Sequence, residues 1–251
     1  MNEFGNSFQR ITSFGKSDTG LKRSNNEDVF ILGPEMGLFA VADGMGGAAS
    51  GEVASQIFAE TAREVFAEKE KGFERETLER VQQAFRLANE RIFRKARENP
   101  QFQGMGCTAE LVTFYNQNYV LGHVGDSRTY LFRQGQLKQL TLDHSLVQDQ
   151  IDQGLITAEE ARKHSLRNVI LRAVGVSEIL AVDLIRGKSL SGDLLLLCSD
   201  GLTDMVDDPS IQEVLSHPFG IAQKVERLIE LAKSAGGHDN ITVVLCEVTV
   251  S

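Results

Sequence analysis

Aspartates at the ends of apolar runs constrain this chain more than any other feature of its sequence. Each run is predicted to be a β-strand, and an acid stands within two residues of one of its ends. The pairs of acid and predicted strand are Asp43 with 38–42, Asp126 with 120–124, Asp200 with 194–198 and Asp239 with 241–248. In an antiparallel sheet the residue that opens one strand lies beside the residue that closes its neighbour. All four carboxylates can therefore lie at one edge.

Four carboxylates at one edge need a compensating positive charge. Side by side they repel one another and would protonate unless a divalent cation neutralised them. Oxygen ligands of this kind suit Mg²⁺ or Mn²⁺. Zinc is disfavoured, because the 5 histidines show no HExxH spacing and no cysteine pair has a zinc-site interval. A single Asp-Gly is usually only a turn, so it is the set of four that favours a metal site.

Helical periodicity is clear in two segments of the first half of the chain. From 51 to 68, Ala54, Phe58 and Val65 fall on one stripe, and from 75 to 97 apolar residues recur every three or four positions. Turns at 116–118 and 134–135 join apolar runs into antiparallel hairpins. Strands are predicted over 29–32, 38–42, 108–115, 119–124, 129–133, 137–140, 181–186, 194–198 and 241–248. The pattern predicts an α+β fold in which helices cover antiparallel sheets.

The second half of the chain contains a polar stretch and a last helix. Residues from 145 to about 175 include few large apolar side chains, so this segment is predicted to run over the surface. The helix is predicted over 221–234 and ends before Gly236-Gly237. No repeat, low-complexity tract or linker interrupts the sequence. One domain is therefore predicted for residues 1–251, with 145–175 as a subdomain.

Charge and composition disfavour several classes of partner. Lys and Arg number 26 against 35 Asp and Glu, and the resulting net charge of -9 argues against nucleic acid. No apolar run is long enough to span a bilayer, and the N-terminal sequence has no apolar core of a signal peptide, so no membrane is expected. The 3 cysteines stand far apart in apolar runs, which is typical of buried thiols in a reducing compartment and favours the cytoplasm. A monomer is expected.

Arg23 precedes the first predicted strand and lies close in sequence to Glu27 and Asp28. A guanidinium binds phosphate through two parallel hydrogen bonds and keeps its charge, so Arg23 is a candidate anion clamp beside the acids. The alternative is a surface ion pair with Glu27 or Asp28.

The ordered set of short motifs resembles the metal-dependent Ser/Thr protein phosphatases of the PPM (type 2C) family, in their bacterial single-domain form. The motifs span nearly the whole chain in the family's order, which makes the set far more specific than any one of them. They are Asp18-Thr19-Gly20, Arg23 with Asn26-Glu27-Asp28, Asp43-Gly44-Met45-Gly46-Gly47, Met105-Gly106-Cys107-Thr108, Gly125-Asp126-Ser127-Arg128, Ser199-Asp200-Gly201-Leu202-Thr203-Asp204 and Asp239-Asn240-Ile241-Thr242.

The resemblance implies a four-layer α-β-β-α sandwich, in which two antiparallel sheets are flanked by helices and two Mn²⁺ or Mg²⁺ ions lie at one end. By the same resemblance, Asp43 would bridge both ions and the carbonyl of Gly44 would bind one of them. Asp200 and Asp239 would hold the other. The polar stretch after residue 145 matches the family's variable flap beside the active site.

Further roles are implied by the same motifs. Glu27 and Asp28 would orient metal-bound water, and Arg23 would bind the substrate phosphate. Asp126, together with Asp200, matches a weaker third metal site of bacterial members.

The activity that the resemblance implies is hydrolysis of phosphoserine and phosphothreonine in proteins. A metal-bridging water would attack phosphorus directly, with Asp43, Asp200 and Asp239 as the catalytic acids, and the enzyme would oppose a bacterial Ser/Thr kinase. No side-chain nucleophile is needed, so Cys198 is interpreted as a buried strand thiol. The alternatives are a catalytically silent regulator that binds phosphoproteins, in which loss of a metal acid is expected, and a phosphatase dedicated to one signalling protein.

The sequence departs from the family pattern in two places. Some members carry a histidine in or just after the DGxGG segment, where this chain has Met45 and Ala48. The general acid is therefore unassigned, with His144 and His238 as candidates by their nearness to motifs. Cys107 stands where bacterial relatives usually have threonine.

Overall fold

The computed structural model describes residues 9–46, 50–67 and 73–250. Within these ranges the chain alternates strands with helices, and one 3₁₀ turn covers Pro100–Phe102. The strands are β1 Gln9–Asp18, β2 Asp28–Gly33, β3 Leu38–Met45, β4 Gly106–Cys107, β5 Ala109–Tyr115, β6 Asn118–Val124, β7 Arg128–Arg133, β8 Gln136–Gln139, β9 Asp183–Lys188, β10 Leu194–Cys198 and β11 Ile241–Val250. The helices are α1 Ser50–Phe66, α2 Glu74–Glu98, α3 Leu146–Asp152, α4 Ala158–Arg162, α5 Asp200–Thr203, α6 Asp208–Ser216 and α7 Ile221–Ser234.

The strands form two sheets, and every pairing between neighbours is antiparallel. The first sheet has the order β1-β11-β10-β7-β8, and the second has the order β2-β3-β5-β6-β9, with the short β4 attached to β3. Both predicted hairpins are present, joining β5 to β6 and β7 to β8. Their two-residue turns have positive φ throughout, at 40° and 59° for Asn116 and Gln117, as the right-handed twist of the flanking strands requires.

Side chains alternate in direction along the strands and build three apolar layers. In β10, Leu195 and Leu197 face the other sheet, whereas Leu194 and Leu196 face helices α5 to α7. Helices α1 and α2 cover the outer face of the second sheet, where Phe58 packs edge-on against Phe85 with ring centroids 5.1 Å apart. The predicted α+β fold with the layer order α-β-β-α is confirmed. A strand that is buried on both faces also explains the unbroken apolar run in β10.

The predicted elements are close to the observed ones. Helix α7 has the predicted bounds, α2 extends the predicted 75–97 by one residue at each end, and α1 begins at Ser50. The predicted end of α1 at Glu68 lies outside the described residues. All nine predicted strands are present, with ends that shift by up to three residues. None of the helices in the described ranges is long and apolar enough to cross a membrane.

Some elements were not predicted. Strand β1 forms an edge of the first sheet by pairing over its full length with β11. Helix α6 is preceded by the N-cap Asp207, whose side chain accepts a hydrogen bond from the backbone N–H of Ser210. The polar stretch 145–175 contains the short helices α3 and α4, and its two ends come together where Ser145 pairs with Ile170.

Candidate metal centre

The acids singled out from the sequence lie at one end of the sandwich, where strands of both sheets terminate. Asp28 and Asp43 are directly opposite one another in the β2–β3 ladder. The hydroxyl of Ser199, at the end of β10 in the other sheet, donates a 2.8 Å hydrogen bond to Asp28 Oδ2. Asp200 follows it at once and opens α5. The antiparallel pairing of both sheets thus brings the acids of separate strands to one edge.

Backbone and side-chain bonds fix Asp43 in this position. Its N–H donates to Thr108 Oγ1 at 3.2 Å, and its carbonyl accepts from the N–H of Thr108 at 2.9 Å. The Thr108 hydroxyl also shares a buried 2.6 Å hydrogen bond with Ser127 Oγ, in the loop that carries Asp126. Thr108 and Ser127 were not recognised as site residues from the sequence, although both belong to the quoted motifs.

The electrostatics of the cluster are those of crowded carboxylates. Burial raises the pKa of Asp43 well above its usual value, and the negative charges of Asp28, Asp200, Asp126 and Asp239 raise it further. Burial likewise raises the pKa of Asp200, to which the charges of Asp126 and other nearby acids add. The pKa of Asp126 rises to about 7 and that of Asp28 to about 6, again with burial as the main cause. The cluster is unstable as a set of bare anions.

The arrangement fits a divalent cation. One carboxylate oxygen of each of Asp28, Asp126 and Asp200 is buried without a hydrogen-bond partner, and an unpaired buried carboxylate oxygen is costly unless a cation binds it. The donors are hard oxygens, as Mg²⁺ and Mn²⁺ prefer. No three acidic, histidine or cysteine side chains of the described residues converge closely enough to hold an ion as they stand. Ligation would therefore require the carboxylates to rotate toward one another.

Asp239 and Arg23 form an ion pair at the same edge. Arg23 Nη2 donates to Asp239 Oδ2 at 2.7 Å, and this hydrogen bond raises the pKa of the guanidinium. The sequence alternatives for Arg23 were a phosphate clamp or a pair with Glu27 or Asp28, and the partner in the structure is a different acid. The Arg23 side chain is 52% exposed, so it remains accessible to an anion.

Asn240 holds the loop that carries Arg23 and Glu27. Its Oδ1 accepts from the N–H of Glu27 at 2.8 Å, and its Nδ2 donates to the carbonyls of Thr19 at 3.0 Å and Asn25 at 2.9 Å. One side chain therefore satisfies three backbone groups of a segment that has no regular secondary structure. Asn240 was not predicted as a site residue, although its position directly after Asp239 was a sequence signal.

Gly44 lies within β3, where it pairs with Cys107 of β4. The rest of the motif is described only as far as Gly46, and both Gly47 and Ala48 lie outside the described residues. Cys107 is buried, and burial raises the pKa of its thiol. Cys198 is also buried in the sheet with a raised pKa, which agrees with its interpretation as a structural thiol.

The two histidines that are candidates for the general acid differ in their surroundings. His144 Nδ1 accepts a hydrogen bond from the N–H of Gly125 at 3.0 Å. Burial lowers the pKa of His144 to about 4, and the charges of His123 and Arg172 add to this effect. His238 is exposed and packs on Gly236.

A cavity of about 620 Å³ lies between the acids and the polar stretch 145–175. Asp126, Asp200 and Asp204 line one side, and Arg167 of the polar stretch reaches Asp204 at 3.6 Å. A larger groove of about 1030 Å³ runs along α2 and contains none of the candidate metal acids. The smaller cavity is therefore the one beside the candidate metal acids.

Comparison with known proteins gives consistent matches over nearly the whole chain. The family model described as Protein phosphatase 2C matches residues 22–244. The serine/threonine protein phosphatase PstP of Mycobacterium tuberculosis is 42% identical over 233 residues, which is 93% of this chain but 44% of that relative. The serine/threonine phosphatase stp of Listeria monocytogenes is 37% identical over 243 residues, covering 92% of this chain and 94% of the relative.

Solved structures match equally well. The M. tuberculosis phosphatase PstP/Ppp superposes with a TM-score of 0.89 at 41% identity, over 95% of this chain and 99% of that one. The catalytic domain of PstP in complex with two manganese ions gives a TM-score of 0.88 at 40% identity, over 96% of this chain and all of the other.

Proposed function

The chain belongs to the protein phosphatase 2C family, and we propose that it hydrolyses phosphoserine and phosphothreonine in proteins with two bound Mn²⁺ or Mg²⁺ ions. The observation that carries this proposal is the edge where Asp28, Asp43, Asp126, Asp200 and Asp239 meet, because three of these acids have a buried carboxylate oxygen without a partner. The two manganese ions of the PstP catalytic domain support the choice of metal.

Four groups of this chain would hold the two ions. Asp43 would lie between them, the Gly44 carbonyl would bind one, and Asp200 and Asp239 would bind the other. Asp126 would add a weaker third site together with Asp200. When bound, such ions lower the pKa of water toward neutrality and screen the charge of a phosphate.

The remaining groups at the edge would bind and orient the substrate. Arg23 is partly exposed and charged, so it would bind phosphate oxygens through two hydrogen bonds. Glu27 would orient water through its carboxylate, since Asn240 fixes its backbone. Asp28, whose carboxylate accepts a hydrogen bond from Ser199, would also orient water. The developing charge on phosphate would be stabilised chiefly by these preorganised groups.

Residues 1–251 would form one phosphatase domain, with 145–175 as the flap over its active site. The flap lines the cavity beside Asp126 and Asp200, and its Arg167 approaches Asp204 from across that cavity. Substrate proteins would therefore contact the flap before their phosphate reaches the acids.

The compartment, oligomeric state and biological role belong to the same proposal. Three buried free cysteines suit a reducing compartment and support a cytoplasmic location. The chain would act there as a monomer that opposes a Ser/Thr kinase. A silent phosphoprotein-binding relative is disfavoured, because all of the candidate metal acids are present.

The first test is hydrolysis of p-nitrophenyl phosphate by purified protein that has been stripped with EDTA and then given Mn²⁺, Mg²⁺ or Zn²⁺. We expect Mn²⁺ to restore turnover in the native chain, and we expect Asp200→Asn and Asp239→Asn to lose at least about 100-fold in rate. Glu213→Gln, which neutralises an exposed carboxylate on α6, is the matched control and should keep native activity. A folded native protein without turnover under any metal would support the binding relative instead.

A dedicated phosphatase is distinguished by its substrates. Turnover of several unrelated phosphoserine and phosphothreonine peptides indicates a broad enzyme, whereas turnover of p-nitrophenyl phosphate without any phosphopeptide indicates a single protein partner.

A further inference from the structure

His144 joins the Gly125–Asp126 loop to both ends of the polar stretch. Its N–H donates to the carbonyl of Gly125 at 2.7 Å, while its ring Nδ1 accepts from the N–H of the same glycine at 3.0 Å. Its carbonyl accepts from the N–H of Leu171 at 2.7 Å, where the polar stretch returns. The side chain is 9% exposed. One residue therefore pairs with both backbone groups of Gly125 and with the returning chain.

Gly125 adopts a backbone conformation that requires glycine. Its φ of 113° is accessible in practice only to glycine, and an added Cβ would lie 2.5 Å from Thr108 Cβ. The next residue is Asp126, whose Oδ1 is buried without a partner. The backbone of Gly125, which positions Asp126, is therefore held by His144 at both its N–H and its carbonyl.

The outer nitrogen of the ring decides whether the inner one can accept. His144 Nε2 lies 3.3 Å from Asp183 Oδ2, and Arg172 Nη1 lies 2.7 Å from Asp183 Oδ1 and 2.9 Å from His144 Nε2. The Gly125 N–H and the Arg172 guanidinium can only donate, and a neutral imidazole accepts at one nitrogen only. Nδ1 faces only the Gly125 donor, whereas Nε2 also faces the Asp183 carboxylate, and Arg172 already donates to that carboxylate. We therefore assign the proton to Nε2, which donates it to Asp183 and leaves Nδ1 free to accept.

The surroundings keep the ring neutral. Burial lowers the pKa of His144 to about 4, helped by the charge of Arg172 and by His123, whose ring lies 4.4 Å away. Asp183 acts in the opposite direction, but its charge is shared with Arg172. A protonated ring would lose its acceptor and release the Gly125 N–H.

We propose that His144 is a positioning residue for Asp126: its neutral Nδ1 holds the N–H of Gly125 and thereby orients the loop that carries Asp126 for cation binding, and Asp183 sets the tautomer that makes this hydrogen bond. The proposal rests on the proposed function, since it assigns Asp126 to a metal site.

The test compares His144→Leu with His144→Asn in the full-length chain. Asparagine places its Oδ1 near the position of Nδ1 and keeps an acceptor, whereas leucine fills similar space without one. Mn²⁺ binding is measured by isothermal titration calorimetry, with Asp126→Asn as the reference. We expect His144→Leu to weaken the lowest-affinity Mn²⁺ site about 10- to 100-fold, as loss of an outer support does, and His144→Asn to restore it to within about 3-fold. The double variant His144→Leu/Asp126→Asn should bind no more weakly than Asp126→Asn alone.

A second variant keeps the proposal falsifiable if His144→Leu does not fold. Asp183 is 47% exposed, so Asp183→Leu should leave the fold intact. It removes the acceptor of Nε2–H, and Arg172 can then donate to Nε2. ¹⁵N NMR of the metal-free protein should show His144 changing from the Nε2–H to the Nδ1–H tautomer, with faster exchange of the Gly125 amide.

The outcomes separate this proposal from the proposed function. Unchanged Mn²⁺ affinity in His144→Leu, additive losses in the double variant, or an unchanged tautomer in Asp183→Leu each overturn the positioning role. A native protein that binds no Mn²⁺ at all overturns the metal-dependent function, and this proposal with it.

Discussion

Glycines beside two of the acids are required by neighbouring backbone. A Cβ on Gly201 would lie 1.9 Å from the carbonyl oxygen of Asn240, and a Cβ on Gly44 would lie 2.1 Å from that of Gly51. Each clash is with main chain, which cannot rotate away as a flexible side chain can. The strand ends that carry Asp43 and Asp200 can therefore approach neighbouring segments only because no side chain intervenes.

Gly201→Ala should therefore destabilise the metal-free protein. Overpacking against fixed backbone is expected to lower the free energy of unfolding by about 1–3 kcal/mol. Urea denaturation of the two proteins in EDTA measures it. Gly220→Ala is the control, because a Cβ there meets nothing within 4 Å, and it should cost less than about 1 kcal/mol. Equal losses in the two variants would contradict the assignment of the clash.

Glu110 and His123 form a buried ion pair across β5 and β6, and both side chains are fully buried. Thr129 Oγ1 donates to the second oxygen of Glu110 at 2.5 Å, and the carbonyl of Leu142 accepts from the other ring nitrogen of His123. Burial alone would lower the pKa of His123, but Glu110 raises it to about 9. Burial raises the pKa of Glu110 too, so the folded pair keeps its proton to higher pH than the unfolded chain does.

The pair should make folding stability depend on pH. Because the pKa of His123 is higher in the folded state than its ordinary 6.5, the pair's contribution is complete below about pH 6.5 and is lost as the pH rises through about 9. The free energy of unfolding in EDTA should therefore fall across this window by at most about 1.4 kcal/mol per pH unit. The difference between native protein and His123→Gln isolates the pair from the acid cluster, and a difference that is flat between pH 6.5 and 9 would contradict the assignment.

At the scale of single elements, the predictable helices and strands are those with dense apolar periodicity. Helix α2 places Val81, Phe85 and Ile92 on one buried stripe, so its position follows from sequence alone. Strand β1 has no such pattern, since it is an edge strand that is only partly buried and exists through pairing with β11 more than 200 residues away. Helix α6 was not predicted, although Asp207 as N-cap and Pro209 in the first turn are a helix start signal in the sequence.

The packing of the apolar face of α2 can be tested by substituting Phe85. Phe85→Ala removes a fully buried ring that packs on Phe58 and should lower the free energy of unfolding by about 3–5 kcal/mol. Arg86→Ala, at an exposed position on the same helix, should change it by less than about 0.5 kcal/mol. Chemical denaturation of both variants gives the comparison. A loss below about 1 kcal/mol for Phe85→Ala would contradict close packing of α2 on the second sheet.

At the scale of the whole molecule, the sequence predicts which strand ends carry acids but not how their side chains are engaged. Asp43, Asp126 and Asp200 were predictable because each lies within two residues of the end of a predicted apolar strand. The pairing of Arg23 with Asp239 joins residues 216 positions apart in sequence, and no local pattern encodes it. The link between His144 and Gly125 was not predictable from the sequence either, since the β7–β8 hairpin separates the two residues and they meet only when it folds.

The clustered acids at one end of the sandwich should lower the stability of the fold when no cation is bound. Asp200→Asn removes one charge from a repelling cluster with an unpartnered buried oxygen, so in EDTA the variant should be more stable than native protein by on the order of 1 kcal/mol. Mn²⁺ should reverse the order, because ligand at 100 times its Kd stabilises the native protein by about 2.7 kcal/mol and the variant by much less. Thermal denaturation with and without Mn²⁺ measures both effects, and Glu213→Gln should follow the native protein in each condition. If Mn²⁺ raised the melting temperature of Asp200→Asn as much as that of the native protein, the cation would bind elsewhere. If the variant is the more stable protein in EDTA and the native protein is the more stable in Mn²⁺, the Asp200 carboxylate both destabilises the metal-free fold and holds the ion.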